Sequence, residues 1–165
     1  MEIWDAYNER GELAGVDLIR GEPIPEGLYH LVSEILVRHT DGDYLLMKRS
    51  LTKESFPGYY EASAGGSALK GESAIDCARR ELYEETGITK GSFSFLGTHI
   101  SKNTVYVLFI HYTSCDKSSI TLQEGETDSF KWVSEEEFIR FISSGEMIPT
   151  QRARYHDHFK AMDYI

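Results

Sequence analysis

The chain is poor in cysteine, proline, basic charge and long apolar runs. Its two cysteines, Cys77 in a helical pattern and Cys115 in a polar turn, cannot build a disulfide framework and read as reduced structural thiols. Four prolines, with no internal repeat or low-complexity tract, leave 165 residues that fit a single domain with a substantial core. No apolar stretch approaches a membrane-spanning helix. The start, MEIWDAYNERGELAG, places acids early and has no basic-then-apolar pattern, so a signal peptide is not expected and the expected location is cytoplasmic. Seventeen basic residues face 27 acidic ones, a formal net charge of −10. So acidic a surface does not suit gripping long nucleic acid by its phosphates, nor docking on an anionic membrane. A small phosphorylated molecule remains compatible if divalent cations intervene.

Turn residues and periodicity divide the chain into alternating elements. Glu2–Val16 is predicted as a hairpin turning at Asn8–Gly11, and with the loop Arg20–Pro25 it makes residues 1–27 an N-terminal extension. Leu28–Arg38 is an apolar strand, and Asp41-Gly42-Asp43 turns it into a second strand, Tyr44–Lys48, as a hairpin. Pro57-Gly58 marks a turn before a short strand, Tyr59–Ala64, and Gly65-Gly66 is expected to make a tight change of direction. Ser73–Thr86 is a helix stopped by Gly87. Phe93–Ile100, Val105–Thr113 and Phe130–Val133 are strands. Ser134 and Glu137 form a capping-box pattern for a helix to about Ile142, and Gln151–Met162 is a last helix. The sum is an α+β domain, a mixed β-sheet with helices on its faces.

The chemistry concentrates in Gly66–Ile88, GSALKGESAIDCARRELYEETGI. On a helix, Glu81, Glu84 and Glu85 stand three and four positions apart and share one face. Three carboxylates on adjacent turns repel one another, and a hard divalent cation removes that repulsion. Ala74, Ala78 and Leu82 form an opposite, apolar face, with Ile75 and Cys77 at its margins, which would seat the helix on the sheet.

These residues match a known signature: Gly66, Glu72, Arg80-Glu81, Leu82, Glu84-Glu85, Gly87 and Ile88 stand at the spacing of the Nudix box without a departure. The chain thus resembles the Nudix hydrolase superfamily. The resemblance implies a Nudix fold, with a mixed sheet sandwiched between helices, and hydrolysis of a diphosphate linkage in a nucleoside diphosphate derivative or similar small phosphorylated metabolite. It implies Mg²⁺, with Mn²⁺ as a substitute, held by Glu81, Glu84, Glu85 and the carbonyl of Gly65. Arg80 would pair with a glutamate to orient it, and Glu72 would support the ligands or the helix start. The family often supplies its general base from a loop outside the box. Glu126 is the leading candidate here and Glu124 the next. Glu81, Arg80, Glu84 and Glu126 are therefore the expected catalytic set.

A branch of the same superfamily, the isopentenyl-diphosphate isomerases, is also similar through Tyr29-His30-Leu31, Leu45–Ser50, Phe56-Pro57-Gly58 and Gly71-Glu72-Ser73. Isomerase chemistry needs a cysteine and a glutamate across the substrate and histidine metal ligands. Here Gly65 stands where the cysteine should be, Ser67 and Pro23 replace two histidines, and Lys102 and Thr104 fall where glutamates belong. Only His30 remains, and it reads as a structural strand histidine. A non-catalytic binding or regulatory module should lose signature acids, and none is lost.

For substrate recognition, Phe56, Tyr59, Tyr60 and Tyr106 are candidate platforms, and Arg49 and Lys53 candidate phosphate contacts. The N-terminal hairpin, with Trp4 and Tyr7, is expected either to cap the pocket or to make a homodimer interface.

Overall fold

A computed structural model describes all 165 residues. β1 (Ile3–Tyr7) and β2 (Leu13–Ile19) form the expected antiparallel hairpin, with the second strand running further than its pattern suggested. Asn8 makes the turn by accepting the backbone N–H groups of Arg10 and Glu12 on its side-chain oxygen. The hairpin joins the rest of the chain through a bridge between Tyr7 and Tyr29.

The main sheet has seven strands. β3 (His30–His39) is central, paired in parallel along its whole length with β8 (Thr104–Thr113) and antiparallel with β6 (Ala64–Ser67). β7 (Ser92–Ser101) lies antiparallel on β8, while β4 (Tyr44–Arg49) pairs with β5 (Tyr60–Ala62) and β9 (Thr127–Val133). The sheet is therefore mixed, as expected.

The predicted hairpin of β3 with β4 is reduced to one pair, Arg38 with Tyr44. Ser63 supplies the reason. Its buried hydroxyl accepts the N–H of Val37 and donates to the carbonyl of Leu45, at 2.8 Å each, the two groups that would otherwise extend the pairing. Ser63 is also where the chain changes direction, at φ +73°. The Gly65-Gly66 turn is thus a correction: both glycines continue the strand β6.

Period-two alternation sends the strands' side chains to two cores. Ile35, Val37, Leu45, Met47, Val105, Val107 and Phe109 face α1 (Ala74–Thr86). Leu36, Tyr44, Leu46, Leu108 and Ile110 face α2 (Glu135–Ser143) and the chain end. The helical pattern at Gln151–Met162 is two short helices, α3 (Pro149–Arg154) and α4 (His156–Ala161). They break at Tyr155, whose backbone lies at φ −88°, ψ 4° while its ring is wholly buried and stacked on Phe159.

Candidate active site

Helix α1 carries the site because both its ends are fixed. Ser73 caps it by accepting the N–H of Asp76, and Gly87 closes it in the left-handed region at φ +78°. Cys77, Ala78 and Leu82 are fully or almost fully buried; Cys77 therefore lies in the seam, not at its margin. Burial raises its thiol pKa to about 11, in keeping with an inert structural thiol. Ser33 of β3 donates its hydroxyl to the carbonyl of Ala74 at 2.7 Å, which fixes the helix start to the sheet.

Gly66 explains how close helix and sheet come: a Cβ there would collide with the Glu81 carboxylate. At Gly65, a Cβ would lie 2.9 Å from the Ser33 carbonyl oxygen. These glycines serve close approach rather than a turn.

Arg80 organises the acids around it. Its guanidinium grips Glu72 through two bonds of 2.7 and 2.9 Å, and donates to Glu81 at 2.8 Å, to Glu84 at 3.3 Å and to the Ser67 carbonyl at 3.0 Å. The hydrogen bonds to Glu72 hold the Glu72 carboxyl below its ordinary value. Glu84 is 40% exposed, whereas Glu85 is buried. As the side chains stand, Glu81 and Glu84 are drawn to Arg80, and no three acidic, histidine or cysteine groups gather around one cation position.

Glu81, Glu84, Glu85, Gly65, Arg80, Arg49, Lys53 and Glu126 nonetheless line one cleft of about 810 Å³. Arg49 is paired with Glu61 at 3.1 Å and Lys53 with Glu126 at 2.5 Å. Phe56 and Tyr106 reach the cleft as well. Tyr60 does not: it lies outside, with the Lys131 ammonium 4.3 Å from its ring centre. Glu124 and Tyr59 are exposed and also stand outside the cleft. His30 stacks on Trp4 with ring centres 4.4 Å apart, a structural contact.

Several cleft residues escaped sequence reasoning, Glu61, Glu34 and Arg154 among them. Glu61 sits on β5, and burial, with Glu34 adding repulsion, raises its pKa despite Arg49. Glu34 is buried in β3 and receives a two-pronged bond from Arg154 at 3.1 and 2.7 Å. The signal for Glu34 was present, since a lone acid in the apolar run LVSEILV must find a partner if buried. Arg154, 120 residues away, had no local signal.

The electrostatic result is a cleft with excess negative charge. Burial raises the pKa of Glu85 well above the carboxylate range, and Glu61, Glu81 and Glu126 raise it further. Burial also raises Glu81, against the opposing pull of Arg80. A hard cation that takes oxygen ligands would relieve this strain, so the donor set fits a divalent metal.

Comparisons with known proteins bear on family and fold. A family model described as the NUDIX domain matches residues 28–156. The chain is 39% identical over 155 residues to an uncharacterized Nudix hydrolase of Listeria monocytogenes, covering 90% of this chain and 89% of that one. Among solved structures, a Deinococcus radiodurans protein shares the fold at TM-score 0.70 and 22% identity, over 87% of this chain and 90% of its own. The MutT protein of Methanosarcina mazei superposes at TM-score 0.61 with 27% identity, over 82% and 93% of the two chains. No helix here is long and apolar enough to cross a membrane.

Proposed function

Because this chain belongs to the Nudix family of hydrolases, whose general reaction is pyrophosphate cleavage, we propose Mg²⁺-dependent hydrolysis of a diphosphate linkage in a nucleoside diphosphate derivative or similar small phosphorylated metabolite. One observation carries the proposal: Glu81, Glu84, Glu85 and Glu126 line the same cleft, with Arg80 bonded to two of them. Glu81, Glu84, Glu85 and the Gly65 carbonyl would hold the metal. When bound, Mg²⁺, or Mn²⁺ in its place, supplies charge neutralisation at the phosphate oxygens and a more acidic water.

The chain's own residues do the rest. Arg80 orients Glu81 and Glu84, and its grip on Glu72 keeps the guanidinium from wandering. Glu126 takes the proton of the attacking water, and Lys53 fixes the carboxylate that receives it. Phe56 and Tyr106 offer apolar surface to the leaving moiety. Residues 1–165 act as one cytoplasmic domain on small molecules, since the charge of −10 disfavours nucleic acid and anionic membranes.

The test is a panel of nucleoside diphosphate derivatives incubated with Mg²⁺, with isopentenyl diphosphate included. Phosphate and nucleotide products should appear, a chelator should abolish them, and Glu84→Gln should lower turnover by about 100-fold or more. Full activity in Glu84→Gln, or isomerised isopentenyl diphosphate as the only product, overturns the proposal.

A further inference from the structure

Six cationic side chains line the cleft, and five of them are already matched to carboxylates. Arg49 holds Glu61, Lys53 holds Glu126, Arg80 holds the box glutamates, Arg154 holds Glu34, and Arg20 holds Glu2. Lys102 has no ion-pair partner. It stands at the tip of the turn between β7 and β8, exposed, with its backbone at φ +53°. That turn is not loose: His30 donates its backbone N–H to the carbonyl of Asn103, and the His30 ring stacks on Trp4 of the N-terminal hairpin.

The same hairpin delivers Arg20. Its guanidinium reaches Glu2 at 3.1 Å, and the same Glu2 oxygen accepts the indole N–H of Trp4 at 2.8 Å. The hairpin is tied down beside the box: Lys70 bonds Asp17 at 2.8 Å and the Gly71 N–H bonds Asp5 at 2.8 Å. Two separate elements therefore present cations to a cleft whose other charged members are mostly acidic or neutralised. Residues 1–27 also lie outside the stretch matched by the family model.

We propose that Lys102, joined by Arg20 whose solvent-exposed pair with Glu2 is weak enough to yield to a phosphate, forms an anion subsite at the rim of the cleft, and that the substrate carries a further anionic group beyond the cleaved diphosphate. This rests on the hydrolytic reading above for its substrate class. A protein of net charge −10 repels a polyanion, so an unmatched cation at the rim favours compounds that bring a further anionic group to it. Lys102 and Arg20 are specificity residues here, outside the proposed catalytic set.

The probes are matched pairs that differ by one phosphomonoester: coenzyme A against dephospho-coenzyme A, and NADPH against NADH. Calorimetric titration in Mg²⁺ reads the subsite whether or not turnover follows. In at least one pair, the phosphorylated member should bind about tenfold tighter or more. Lys102→Met should bring that ratio toward one, Arg20→Met should lower it further, and Lys102→Arg should restore it. Equal affinities in both pairs, no binding of any of the four, or a preference that Lys102→Met leaves intact overturns the subsite. Preference without hydrolysis of any compound leaves the subsite standing and removes the hydrolytic reading instead.

Discussion

The two faces of the sheet are built on opposite principles. On the α1 face, small residues meet: Gly66, Ala68, Cys77 and Ala78 let helix and strand approach until a carboxylate fills the space a methyl would need. On the α2 face, large rings fill the interior. Phe138 stacks on Tyr44 at 4.0 Å and meets Phe141, Phe159 and Tyr164, while the Tyr164 hydroxyl links Tyr44 to Glu135. The aromatic face gains stability from buried area. The glutamate face holds like charges together and gains none from doing so. Both faces bury an apolar core, but the like-charged glutamates of α1 are confined to one of them, whereas the other is filled by stacked rings.

The heaviest blow to that division is Phe138→Ala. Phe138 is fully buried at the centre of the aromatic cluster, and its truncation should cost about 3–5 kcal/mol in denaturant unfolding. The folded fraction should keep its kcat/KM to within about twofold. A collapse in kcat/KM of the folded fraction would mean the two faces are coupled.

Glu85→Gln is the converse. Glu85 is buried, with Glu61, Glu81 and Glu126 as like-charged neighbours. Its folded pKa is raised, so near neutral pH the unfolded chain accommodates the charge better than the folded one. The amide removes that penalty. Turnover should fall about 100-fold or more, while the metal-free protein, melted in chelator, should unfold at a higher temperature. A lower melting temperature would show that the carboxylate stabilises the fold.

Gly66→Ala refines the same contrast. The residue's backbone is ordinary strand, so alanine adds no backbone strain, and the nearest atoms its methyl meets are those of the Glu81 carboxylate. Displacing Glu81 from its place beside Arg80 should cost about 10- to 100-fold in kcat. Thermal unfolding should shift little by comparison.

How much of this was legible depended on whether the cause was local. The ends of α1, the capping box of α2 and the glutamate spacing are local, and the structure places them where the pattern put them. The splitting of β3 from β4 depends on Ser63, which follows both strands in sequence and inserts its hydroxyl between them from outside. The partnership of Glu34 with Arg154 likewise joins opposite ends of the chain. Of the cleft, the α1 acids and Glu126 could be read from spacing and loop position. Glu61 could not, because a single acid in a three-residue strand looks the same whether it faces solvent or a cavity.

The smallest effect tests the aromatic face at its edge. Ser134 caps α2: its hydroxyl accepts the Glu137 N–H at 3.2 Å, and the Glu137 carboxylate reaches back to the Ser134 N–H. Ser134→Ala removes one half of that reciprocal pair and should cost about 1 kcal/mol in denaturant unfolding. α2 carries Phe138, Phe141 and Ile142 into the core, so fraying its first turn loosens the cluster from the rim inward. The cap lies on the face opposite the glutamates, and kcat and KM should both stay at parental values. If the loss in stability came with a change in KM, the sheet would be transmitting strain from one face to the other, and the separation of the two roles would fail at its least loaded point.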